Sequence, residues 1–249
     1  MKKRILILIL LVIMICSISS VGQAFIKKGI LGIDEKYTTS YYVIQSGKKG
    51  PTIFIVGGTH GDELAGWSAA EKLLKYRPDK GKLVIIPYAN KRAVEKKIRF
   101  LPSESDLNRA YPGQKDGTIM EKLAYDIYGL IEKMETDLLL DLHESQGFMV
   151  DNSKYLGQSI IAYQNSSSIW LALNGREIIN QDIAIEKHQI HLLSHPKKGT
   201  LTWAVGKNLD IPAFTVETCK EIELDKRIDY QIKVVKGILE QVEVNLSCR

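Results

Sequence analysis

Apolar residues along the chain fall into two alternating patterns. Short continuous runs, among them Thr52–Val56, Leu83–Pro87, Asp137–Leu142, Ser159–Tyr163, His188–Leu193 and Ala213–Val216, predict strands. Runs such as TIFIV and LVII lack polar alternation, as strands covered on both faces do, so they predict a mainly parallel sheet between helices. Tyr41–Gln45 adds a predicted edge strand. Between the runs, Asp62–Tyr76, Thr118–Met134, Ser166–Asn180 and the segment from Leu224 to Val242 carry apolar stripes at spacings of three and four, which predicts amphipathic helices. No internal repeat or composition break follows residue 25. The expected fold class is therefore α/β, a three-layer αβα sandwich with a mainly parallel, mixed sheet, formed as one domain over residues 25–249. Tyr88–Asp116 is the exception, a long polar stretch read as a functional loop.

Residues 1–24 form a separate region. A basic start (Lys2, Lys3, Arg4), an apolar run from Ile5 to Ile15 and a small-residue end at Gly22 and Ala24 read as a secretory signal, with an uncleaved N-terminal anchor as the alternative. The expected localisation is export: periplasmic, secreted or membrane-anchored through this segment. The segment also holds three of the five net positive charges, since removing its three cations leaves 31 Lys and Arg against 29 Asp and Glu. A nearly neutral mature chain has no basic stripe, which argues against nucleic acid as a partner. Cys219 and Cys248 are read as one core and one tail cysteine, although an oxidising compartment permits a disulfide between them.

In open α/β sheets ligands bind beyond the carboxyl ends of the strands. There the chain places His60 and Glu63 after the first long run, His143 after the third and Glu217 at the end of the last. Two imidazoles and a carboxylate are a common zinc ligand set that leaves a position open for water. Gly57, Gly58 and Gly61 let the backbone turn so that His60 and Glu63 aim at one ion.

The pieces GGTHGDE, DLNRAYPG, LLLDLHES and FTVET, in that order between Gly57 and Thr218, resemble the zinc carboxypeptidase superfamily and its succinylglutamate desuccinylase/aspartoacylase branch. The resemblance implies a zinc-carboxypeptidase-like fold and one Zn2+ held by His60, Glu63 and His143. It implies that Glu217 is the general base and acid, and that Asn108 and Arg109 grip a substrate carboxylate. Asp106 then orients the imidazole of His60, and Arg99 polarises the scissile carbonyl. An arginine suits the carboxylate role because its planar fork makes two parallel hydrogen bonds.

Other motifs carry less. His188, His191 and His195 are read as surface or pocket-rim residues, because a strand there would point the first two to opposite faces. Gly66-Trp67-Ser68 lacks the closing glycine of a serine-hydrolase elbow. Trp67, Trp170 and Trp203 are read as packing residues. Tyr111 either flanks the substrate or pins the turn before Pro112.

Deacylases of this branch often carry a β-rich domain after the core, whereas here a single helix follows Glu217. A shortened core behind an export signal implies an exported carboxypeptidase or amidase that cleaves an amide beside a carboxylate, on peptides such as cell-wall peptides. An N-acyl amino acid deacylase and a non-catalytic zinc-dependent peptide-binding protein are the alternatives. The expected partner is a small peptide or acyl amino acid with a free carboxylate, with membrane contact only through the N-terminal segment.

Overall fold

The computed structural model describes residues 24–32 and 37–248, so the proposed signal or anchor lies almost wholly outside the described residues. An eight-stranded sheet runs through the middle of the molecule. Its strands are β1 (Phe25–Leu31), β2 (Thr39–Gln45), β3 (Thr52–Gly57), β5 (Lys82–Ile86), β6 (Leu138–Ser145), β7 (Ser159–Ala162), β8 (His191–Ser194) and β9 (Ala213–Cys219). Their spatial order is β1-β2-β5-β3-β6-β9-β7-β8. The central four, β5, β3, β6 and β9, are parallel, and β7 turns antiparallel against β9. A two-stranded sheet pairs β4 (Tyr76–Pro78) with β10 (Leu246–Cys248).

Alternate side chains of each central strand feed opposite cores, as the pleat requires. Ile53, Ile55, Leu138, Leu140, Phe214 and Val216 pack with helices α1 (Leu64–Leu73), α4 (Ser166–Gln181) and α6 (Leu224–Glu240). Phe54, Val56, Val84, Ile86 and Leu139 pack on the other face with α3 (Ile119–Lys133) and α5 (Leu201–Leu209). The continuous apolar runs of the sequence thus arise from burial on both sides. The start of α3 is fixed by a capping box, in which the Thr118 hydroxyl accepts from Glu121 N–H while the Glu121 carboxylate accepts from Thr118 N–H.

Several predicted elements shift. Tyr41–Gln45 belongs to β2, which is interior, and the edge is β1, a strand with too little burial to leave a pattern in sequence. The predicted strand His188–Leu193 breaks in two. Glu186–His188 form a 3-10 turn, because the Asn180 side chain takes both Ile190 N–H (2.8 Å) and Ile190 C=O (3.0 Å) away from a ladder. The polar stretch 88–116 holds a short helix, α2 (Lys91–Lys96), and a 3-10 turn at Leu107–Arg109. Cys219 is buried in β9 and Cys248 is exposed on β10.

Candidate metal centre and its cavity

The two ends of β3 and β6 and the end of β9 build one site. After β3 the chain turns at Gly58, whose φ of +72° suits glycine. It then passes Gly61, where a Cβ would stand 2.0 Å from the Ala93 carbonyl oxygen of α2. No larger residue fits this passage, and its result is that His60 and Glu63 face the end of β6 just before α1 begins. On the sheet itself, the parallel register of β6 and β9 sets His143 beside Glu217.

The Glu63 carboxylate lies between the two imidazoles, 2.7 Å from Nδ1 of His60 and 2.7 Å from Nδ1 of His143. Each outer nitrogen meets a different carboxylate. His60 Nε2 lies 2.9 Å from Asp106, and His143 Nε2 lies 3.0 Å from Asp141. Donor atoms of His60, Glu63 and His143 all fall within 4.8 Å of one another, and all three residues are buried. The histidines 188, 191 and 195 form no such group among the described residues.

This donor set fits a metal ion. Both imidazoles turn the same nitrogen inward, and an acid on each outer nitrogen is the arrangement that fixes a metal-bound histidine in orientation and tautomer. The electrostatics agree. Burial opposes ionisation of Glu63, but the neighbouring imidazoles outweigh it and hold the carboxyl well below the usual carboxylate range. Burial likewise lowers the basicity of His143, but Asp141 and Glu63 reverse it and raise the pKa well above the ordinary value. An excess of negative charge therefore surrounds the two rings, which is what a bound dication neutralises.

Glu217 differs from Glu63. Desolvation pushes its carboxyl up to about 7, with Glu63 and Asp141 adding to the effect and the imidazoles opposing it. A carboxyl poised there can take up and release a proton near neutral pH.

The remaining sequence-predicted residues also gather here. Arg99 donates to Glu63 (3.1 Å) and to Asp106 (3.4 Å). Burial of Asp106 is outweighed by its bond to His60, so its pKa is lowered. Asn108 is buried, with Nδ2 3.3 Å from His143 Nε2 and Oδ1 accepting from Leu201 N–H. Arg109 follows at the cavity wall. Tyr111 is buried in the core between sheet and α3, so the packing alternative holds and it does not flank the cavity. Sequence reasoning missed Asp141, although Asp-x-His on a strand puts both side chains on one face.

The site opens into a cavity of about 490 Å³ lined further by Tyr155, Leu156, Ile161 and Leu193. Four cations line it: Arg99, Arg109, Lys154 and Lys197. Among the described residues only Arg99 of these has a carboxylate within ion-pair distance. Trp203, read as a packing residue, lies half-buried against the α3–α5 core, whereas Trp170 is 60% exposed on α4.

Comparisons with known proteins bear on the family and the fold. Residues 49–169 match the succinylglutamate desuccinylase/aspartoacylase catalytic domain. The chain is 37% identical over 105 residues to the N-alpha-acetyl-L-2,4-diaminobutyric acid deacetylase of Halomonas elongata, a match over 41% of this chain and 30% of that protein. The fold is that of the cell shape determinant protein Csd4 of Helicobacter pylori in its apo form, with a TM-score of 0.74 at 23% identity over 91% of this chain and 56% of that one. The mDAP-bound form of Csd4, described as a D,L-carboxypeptidase, gives 0.72 at 25% identity over 80% and 52%. A succinylglutamate desuccinylase from Silicibacter gives 0.66 at 21% identity over 90% and 69%. The chain thus spans about half the length of the Csd4 structures and under a third of the deacetylase.

Proposed function

We propose, from the match of residues 49–169 to the succinylglutamate desuccinylase/aspartoacylase catalytic domain, that this chain is a zinc-dependent hydrolase cleaving an amide bond beside a carboxylate-bearing group. Its substrate is a peptide of the cell-wall type, and it acts outside the cytoplasm as a carboxypeptidase or amidase. One observation carries the reading: His60, Glu63 and His143 converge while Glu217 stands beside them on the next strand.

His60, Glu63 and His143 would hold the ion. When bound, zinc supplies Lewis acidity toward water and the scissile carbonyl. Asp106 and Asp141 keep the two imidazoles turned inward. Glu217 accepts a proton from the attacking water and returns it to the leaving amine. In this reading Arg109 and Asn108 grip the substrate carboxylate, and Lys154 and Lys197, which among the described residues have no carboxylate in ion-pair range, add positive charge to the same cavity. Arg99 stabilises charge developing on the carbonyl oxygen; one such donor is worth about 2.7–4 kcal/mol in a well-studied hydrolase.

The peptide reading is supported by the D,L-carboxypeptidase among the fold relatives, one of whose structures is tripeptide-bound. The deacetylase match over 105 residues favours a second reading, removal of an acyl group from an amino acid. Incubation with a cell-wall tripeptide and with acetyl and succinyl amino acids, each with and without chelator, separates the two. Release of the terminal amino acid, stopped by chelator, is the expected result; cleavage of the acyl amino acids alone establishes the deacylase. Export rests on the apolar run Ile5–Ile15 behind three cations; recovery of the chain only in the cytoplasmic fraction overturns it.

A further inference from the structure

Helix α6 carries two polar side chains one turn apart, Arg227 and Gln231, on a face that is otherwise packed into the core. Neither touches a donor atom of the metal centre. Arg227 reaches Glu63 through Glu144, whereas Gln231 bonds the backbone of His143 directly. Arg227 Nη1 donates to Glu144 Oε1 at 2.6 Å, and the other oxygen of Glu144 accepts from Ala65 N–H at 2.8 Å, in the first turn of α1. The Glu144 backbone N–H in turn donates to Glu63 Oε2 at 3.1 Å. Gln231 Nε2 donates to the His143 carbonyl at 2.6 Å and to the Thr218 hydroxyl at 3.1 Å, which joins the ends of β6 and β9.

We infer that Arg227, Gln231 and Glu144 are positioning residues for the metal ligands, with α6 setting where Glu63 and His143 present their donor atoms. The inference rests on the zinc reading above and deepens it. The side chain of Glu144 is wholly buried and that of Arg227 nearly so. A buried ion pair is a poor source of stability, because desolvating two charges offsets their attraction. What this pair does supply is fixed geometry. A single carboxylate ties the end of β6, which bears His143, to α6 and to the first turn of α1, which Glu63 directly precedes. The amide of Gln231 does the same for the carbonyl of His143 and the strand that bears Glu217. With apolar side chains on α6 the core would still close, but the two strand ends would lose their shared anchor.

The test compares zinc dissociation constants with the melting temperature of the zinc-free protein. Gln231→Met keeps volume and removes the donor. The double variant Glu144→Gln with Arg227→Met keeps the Ala65 cap and leaves no unpaired buried charge. Both are expected to weaken zinc binding about 10–100-fold, the usual effect of disturbing the surroundings of metal ligands, with zinc-free melting close to the parent's. Arg227→Lys, which keeps a charged donor, is expected to bring the affinity back toward the parent's. Variants that fold and bind zinc as tightly as the parent overturn the inference; should the double variant not fold, Gln231→Met alone decides. A parent chain that takes up no zinc at all removes the metal reading itself, an outcome distinct from zinc-binding variants of unchanged affinity.

Discussion

Asp141 Oδ2 lies 3.0 Å from Nε2 of His143, two residues along the same strand and on the side of the ring away from Glu63. Asp106 stands in the same relation to His60 from a different segment of the chain. The centre therefore has two acid–imidazole pairs turned toward one carboxylate. If this arrangement orients the rings for a metal, Asp141→Asn weakens zinc binding about 10–100-fold. Equilibrium dialysis of the purified variant checks it, and an unchanged affinity makes Asp141 a bystander.

Glu217 has a different task and a different expected phenotype. Glu217→Gln keeps the size of the side chain and removes the proton acceptor. Zinc content is expected to match the parent's, while hydrolysis of the susceptible amide falls by about 10²–10⁴-fold, the range for loss of a positioned acid–base group. Rate and metal content measured on one preparation check both halves.

Much of the fold and most of this site were legible in the sequence, for physical reasons that can be named. Thr52–Val56 and Asp137–Leu142 announced themselves because burial on both faces requires continuous apolar runs, and the reactive residues at their ends followed from the sheet's polarity. β1 gave no signal because it is exposed over most of its length, and its place in the sheet comes from its ladder with β2. The split between the 3-10 turn at His188 and β8 was hidden because it depends on Asn180, ten residues before Ile190. Glu144 and Arg227 were invisible as a pair, since 83 residues separate them and neither matches a ligand motif.

The passage beside α2 yields a stability prediction. At Gly61 a Cβ would meet the Ala93 carbonyl at 2.0 Å, and backbone cannot yield as a flexible side chain does. Gly61→Ala is expected to destabilise the chain by about 1–3 kcal/mol, the range for overpacking, and to lower zinc affinity through the displaced His60. Denaturant unfolding with and without zinc measures both. An unperturbed midpoint contradicts the close packing described.

The segment 146–157, which gives Gln146, Lys154, Tyr155 and Leu156 to the cavity wall, is clamped at His188, whose ring stacks on Phe148 at 5.6 Å and lies with Nδ1 3.1 Å from the Tyr230 hydroxyl. Burial lowers the His188 pKa, and the nearby Lys226 and Lys187 add to the shift. The folded state therefore binds this proton less readily than the unfolded state does. The contribution is fully present above the unfolded value of 6.5 and is lost as pH falls through that value and the lower folded one. Hydrogen exchange in residues 146–157 is expected to quicken, relative to its intrinsic rate, between pH 7.5 and 5.5, and His188→Gln is expected to flatten that dependence. A parent profile without such a change excludes the clamp from pH control.

The central claim is that His60, Glu63 and His143 share one ion. Elemental analysis after dialysis against zinc, on the parent and on a variant with His60→Ala and His143→Ala together, tests it most directly. About one zinc per parent chain and almost none on the variant is the predicted result. Equal zinc on both proteins, or none on the parent, contradicts it.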